Sequence, residues 1–107
     1  MSYKIVITDT AKQDLWGIAR YIVEREKSKD TAQNFISSLK AKTLDLQQHQ
    51  RLGALPKDRI LKSLGYRYLV HKDYLLFYLI DEEAKIINVV AIFNSKKDYM
   101  RVLKGIF

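Results

Sequence analysis

No cysteine occurs in the chain, so neither a disulfide nor a thiolate metal site is open to it. Two scattered histidines, His49 and His71, do not supply a histidine-based metal site, and no metal or other cofactor is expected. No charge-free run approaches the roughly 18 residues of a membrane span. The amino terminus lacks the long apolar region of a signal peptide, so a cytoplasmic protein with no membrane partner is expected. Internal repeats, linkers and low-complexity stretches are also missing. The 107 residues therefore read as a single domain, 1–107, long enough to bury a core unaided.

What the chain does have is positive charge: 19 Lys and Arg against 12 Asp and Glu, a net +7. Such an excess favours a polyanionic or strongly acidic partner, although a lysine-rich solvated surface gives the same count. The excess lies after residue 50, on the loop and strand up to residue 80 and on the carboxyl tail. If the strands there share one sheet, both basic segments can converge on one side of it.

Residues 3–8 alternate weakly and form a first short strand. Thr10 followed by Gln13 fits a capping box, which starts a helix near Ala11. Its apolar stripe is Ala11, Leu15, Ile18 and Ile22, with Trp16 packing inside a hairpin of helices. The charges of residues 24–30 make a short turn, and Ser28 or Asp30 caps a second helix. That helix carries Ala32, Phe35, Ile36, Leu39, Thr43 and Leu46 to about Gln48. Gly53 and Pro56 mark an irregular loop over residues 49–58, with Lys57, Arg59 and Lys62 at its end.

Three strands follow, over residues 64–70, 74–80 and 86–93, linked by turns short enough for an antiparallel meander. The uncharged run 74–80 is the central strand. In the first of the three, Tyr66, Tyr68 and Val70 alternate with Arg67, Leu69 and His71, so Arg67 faces away from the two tyrosines, free for a functional role or simply paired with Asp58 or Asp73. The tyrosines read as half-covered sheet residues, and His71 as a solvated turn residue. Ser95 then caps a short helix carrying Tyr99, Val102 and Leu103, and Asp98 belongs to that cap.

The expected fold is α+β: an amino-terminal strand, a two-helix antiparallel hairpin on a small, largely antiparallel sheet, and a short carboxyl-terminal helix. One sheet face lies under the hairpin and the other stays partly open. The expected core is Leu15, Ile18, Ile22, Phe35, Ile36, Leu39, Phe77 and Leu79.

From Tyr3 to about Leu103 the chain resembles the RelE/ParE superfamily of bacterial type II toxins. The matching residues are Thr10-Ala11, Asp14-Leu15, Ile18, Tyr21-Ile22, Ala32, Phe35-Ile36, Gly65-Tyr66-Arg67, Tyr74, Phe77-Tyr78 and Lys97-Asp98-Tyr99. The resemblance implies a small toxin for plasmid stabilisation or growth arrest, neutralised by a cognate acidic antitoxin and able to form a toxin–antitoxin hetero-oligomer. It leaves two branches open. RelE-like members cleave messenger RNA on the ribosome, which implies Arg67, Lys97 and Tyr99 as catalytic residues. Cleavage needs a cation for the phosphorane and a group that moves a proton. The paired lysines of that branch are unmatched, since Asp58 and Ile60 hold the nearest positions.

ParE-like members act on DNA gyrase. The segment Asn88 to Phe93 followed by Lys97-Asp98-Tyr99-Met100 resembles the end of ParE toxins, and Ala91 agrees with some of them. This branch is favoured. The residues implied in binding a target or nucleic acid are Lys57, Arg59, Lys62, Arg67, Lys96, Lys97 and Arg101. A non-toxic basic nucleic-acid-binding domain is the remaining alternative.

Overall fold

The computed structural model describes residues 2–96. Strand β1 (Lys4–Ile7) leads into helix α1 (Asp9–Glu26) and helix α2 (Lys29–Leu44). Two 3-10 turns follow, at Asp45–Gln47 and Gln50–Leu52, and then the short helix α3 (Arg59–Ser63). Strands β2 (Arg67–His71), β3 (Tyr74–Asp81) and β4 (Ile86–Asn94) complete the described chain. The order in the sheet is β1-β4-β3-β2, with β1 parallel to β4 and the other pairs antiparallel. The α+β class and the helical hairpin on a largely antiparallel sheet are as the sequence predicts. The expected carboxyl-terminal helix, with Lys97, Tyr99 and Arg101, lies outside the described residues.

The first helix is capped by Thr8, not Thr10. The Thr8 hydroxyl accepts the Ala11 N–H at 3.3 Å and donates to the Val89 carbonyl at 2.9 Å. Thr10 lies inside the helix, so the Thr10–Gln13 spacing was coincidental. Past the end of β1, Thr8 continues the contact with β4 and a side chain of α1 extends it. The Thr8 backbone N–H and hydroxyl both donate to the Val89 carbonyl, at 3.0 and 2.9 Å, and the Asp14 carboxylate accepts the Ile92 N–H at 2.9 Å. At the other end of α1, Lys27 takes a left-handed φ of 53°, and Ser28 caps α2 by accepting the Thr31 N–H at 3.1 Å.

Alternation along the strands gives the sheet two apolar faces. Leu69, Leu76, Tyr78, Ile87, Val89 and Ile92 join Ile18, Phe35 and Leu39 under the hairpin, with Leu15, Ile22 and Ile36 packed around them. Leu61, Tyr66, Leu75, Phe77, Val90, Ala91 and Phe93 form a second cluster on the opposite face. Phe77 and Leu79 therefore belong to that second cluster and not to the hairpin core, because a period of two puts them opposite Leu76 and Tyr78. The second face is covered in part, with Phe77 fully buried and Leu61 bringing α3 onto it, while Val70 at the β2 end stays exposed.

A bulge keeps β4 in phase with both faces. Pairing passes from Phe77 with Ala91 to Tyr78 with Val89, so Val90 is the extra residue. The insertion lets Ile87 and Val89 on one side and Ile92 on the other all point at the hairpin.

Helix α3, which follows the irregular loop and which no apolar period announces, is short, and Asp58 starts it by accepting the Leu61 N–H at 2.9 Å. It ends at Gly65, whose φ of 91° suits a residue without a Cβ and turns the chain into β2. Trp16 is not packed inside the hairpin: it is 72% exposed on the outer side of α1. The stripe at helical spacing is completed by Leu15 and Ile18, which leaves Trp16 on the solvent side of it.

Candidate functional site

Arg67 opens β2 opposite Tyr78, on the strand face that Leu69 and His71 share. Its Nη1 donates to the Gly53 carbonyl at 2.9 Å and, at 3.4 Å, to the carbonyl of Arg51. Neither Asp58 nor Asp73 is its partner. The loop it holds comes close to β3: the Tyr78 hydroxyl donates to the Gln50 carbonyl at 2.8 Å and accepts the Gly53 N–H at 2.9 Å. A Cβ on Gly53 would stand 2.6 Å from the Tyr78 hydroxyl and 2.8 Å from the Tyr68 carbonyl, so this approach requires glycine. Ala54 then pairs with Tyr68 along the outer edge of β2. Arg67, Gly53 and Tyr78 thus form a clasp between the irregular loop and the sheet. Arg51 leaves the same loop to pair with Glu82.

The other basic candidates stand elsewhere. Lys57, Arg59 and Lys62 are exposed, the last two on the outer side of α3, whose Leu61 is buried in the second face. Lys96 is exposed after the end of β4, where its backbone N–H donates to Asn94 Oδ1 at 2.9 Å. Strand alternation assigns Arg67 to the hairpin face, while the buried Leu61 ties α3, with Arg59 and Lys62, to the opposite one. Lys97, Tyr99 and Arg101 fall outside the described residues.

Two polar features escaped the sequence reading. His71 is the last residue of β2 and is partly buried, not a solvated turn residue; its Nε2 lies 2.8 Å from Ser38 Oγ on α2. Ser38 also donates to the Phe35 carbonyl at 3.0 Å, and the Phe35 ring lies 5.4 Å from the imidazole. Burial, with the nearby ammonium groups of Lys42 and Lys72, holds the His71 pKa below its ordinary 6.5. Burial also raises the phenol pKa of Tyr66, Tyr74 and Tyr78, so these tyrosines stay neutral hydrogen-bonding groups. Clasp and histidine contact both join residues far apart in sequence, and Gly53 was the single visible trace of either.

A basic α+β domain with a helical hairpin across one face of a four-stranded sheet is the architecture of the RelE/ParE class. Solved structures with a similar fold include three toxins or toxin–antitoxin systems. The RelBE2 toxin–antitoxin complex of Mycobacterium tuberculosis matches at 20% identity and TM-score 0.61, covering 88% of this chain and 99% of that one. The chromosomal ParDE system of P. aeruginosa matches at 19% identity and TM-score 0.70, over 87% and 96%. A free-state mutant of the E. coli toxin RelE matches at 15% identity and TM-score 0.64, over 100% of both chains. At these identities the likeness is one of fold. No curated protein matches the chain. The family model for the ParE toxin of type II toxin-antitoxin systems matches residues 5–99, so the chain belongs to that family and is a type II toxin of the RelE/ParE superfamily.

Proposed function

We propose that the protein arrests growth by inhibiting DNA gyrase in the manner of ParE-like toxins, and that a cognate acidic antitoxin neutralises it. The observation that carries this reading is the commitment of Arg67. A guanidinium that donates to the Arg51 and Gly53 carbonyls serves as a brace for the loop, and α3 carries its cations on the opposite face of the sheet. This arrangement suits recognition of an acidic protein surface better than stabilisation of a phosphorane, which needs a cation and a proton-transfer group aimed at one phosphate. The family match to ParE toxins supports the same branch. The antitoxin partner is supported by the toxin–antitoxin complexes among the structural relatives.

Induction of the toxin in growing cells, without antitoxin, tests the reading. DNA damage and filamentation should precede any fall in protein synthesis. Translation stopping first, with DNA intact, would favour the ribosome-dependent ribonuclease and sink the gyrase reading.

A further inference from the structure

Helix α3 and the loop that enters it gather exposed apolar side chains among cations. Of the eight large apolar residues exposed among the described ones, four lie in this one stretch: Leu52, Leu55, Ile60 and Leu64. A lone exposed leucine is ordinary, whereas such a concentration marks a contact surface. At about 100° per residue along the helix, Ile60 and Leu64 form a row beside the buried Leu61, and Arg59 and then Lys62 follow round the helix beyond them. Ile60 is 58% and Leu64 52% exposed, so the row faces solvent. Lys57 stands just before the helix. All three cations are exposed, and among the described residues none has a carboxylate partner. Asp58, between them in sequence, is committed to the cap of α3.

The surface is rigid. Leu61 is fully buried in the second face, the Leu64 and Gly65 N–H groups donate to the Ile60 and Lys62 carbonyls at 3.0 and 3.1 Å, and the Tyr66 N–H donates to the Leu61 carbonyl at 3.1 Å. A partner therefore meets side chains already in place and little ordering is lost on contact. The surface is also small. A disordered segment that folds on binding covers a long track, whereas two apolar anchors ringed by three cations on a five-residue helix suit one site on a folded protein.

We propose that α3 is the surface through which the toxin engages its target, with Ile60 and Leu64 entering an apolar site whose rim carries carboxylates for Lys57, Arg59 and Lys62. The inference rests on the gyrase reading above and names the part of this chain that makes the contact. A second copy of this chain is disfavoured, since each carries +7 and would bring these cations together. A nucleic acid is disfavoured by the apolar row, because a phosphate track rewards cations and gains nothing from Ile60 or Leu64.

The test titrates the full chain into supercoiling reactions of purified gyrase holoenzyme and reads the concentration that halves activity. The variants are Ile60→Ser/Leu64→Ser, the triple Lys57→Glu/Arg59→Glu/Lys62→Glu, and a control on the hairpin with the same change of charge, Lys12→Glu/Arg20→Glu/Lys29→Glu. Thermal melts check that each is folded, and calorimetry with the full-length cognate antitoxin reads a second surface in the same samples. The apolar pair should raise the half-inhibiting concentration about tenfold and the α3 triple about a hundredfold, the latter with a weaker dependence on salt. The hairpin control should stay within about threefold of wild type, and antitoxin affinity of both α3 variants should do the same.

If wild type inhibits gyrase and folded α3 variants inhibit equally well, α3 is the wrong surface while the gyrase reading stands. A loss in the hairpin control as large as in the α3 triple would reduce the effect to net charge and overturn the proposal. If soluble wild type leaves supercoiling untouched, the gyrase reading itself fails and this surface with it. Antitoxin affinity falling in parallel with inhibition would reassign α3 to the antitoxin. Binding of wild type to a DNA duplex alone, lost in the α3 triple, would reassign it to nucleic acid, and either result overturns the proposal.

Discussion

At the scale of single residues, the clasp makes a quantitative claim. Tyr78 is fully buried, and its hydroxyl serves the Gln50 carbonyl and the Gly53 N–H at once. Tyr78→Phe removes both bonds and leaves buried backbone groups without them, a loss of about 1–3 kcal/mol in a denaturant melt. Arg67→Ala removes a partly exposed brace and should cost about 1 kcal/mol. Stability unchanged in both variants would mean that the loop is not held by these side chains. His71 adds a dependence on pH. Its folded pKa is depressed, so the unfolded chain takes up a proton first as pH falls. The histidine costs nothing well above pH 6.5, and stability declines as pH drops through 6.5 toward the folded value. Comparing urea melts at neutral and mildly acidic pH, His71→Gln should show a smaller loss on acidification than wild type. Equal losses would contradict the burial-driven shift.

At the scale of elements, the sequence carried the strands and helices wherever local rules decided them. Of the two cap candidates Ser28 and Asp30, Ser28 caps the second helix, the run beginning at Tyr74 is an inner strand, and the two turns of the meander fall at residues 72–73 and 82–85. Errors came where a partner distant in sequence decides. Thr8 outranked Thr10 as a cap because its hydroxyl also reaches Val89, 81 residues away. The bulge at Val90 and the assignment of Phe77 to the second face both need the register with β4, which no local pattern supplies. For the site, the sequence could point to the basic residues but not to the loop carbonyls that engage Arg67. The two-face arrangement predicts that Phe35 and Phe77 are independent, since one packs with His71 and Tyr74 and the other with Tyr68 and Phe93. Phe35→Leu and Phe77→Leu should add to within about 0.5 kcal/mol in the double variant. A coupling well beyond that would place them in one cluster.

At the scale of the whole molecule, the hairpin, the clasp and α3 divide the surface into regions with different chemistry. The side near β1 carries an apolar groove with lysines on its rim, and α3 carries exposed cations with its one fully buried leucine fixed in the second face. A binding toxin needs surfaces of this kind, for an antitoxin and for a target, without a reactive centre. Under that account Arg67 matters only through the loop it braces, and the exposed Lys96 with Lys97 contributes to the target surface. The most direct measurement compares gyrase supercoiling with ribosome-dependent messenger RNA cleavage, using purified wild type, Arg67→Ala and Lys96→Ala/Lys97→Ala. The account predicts inhibition of supercoiling by wild type, little change in Arg67→Ala at a temperature where it is folded, a clear loss in the lysine pair, and no RNA cleavage by any of them. Cleavage by wild type that falls by about a hundred- to a thousandfold in Arg67→Ala, the scale expected for losing a cation on a charged transition state, with supercoiling untouched, would contradict it.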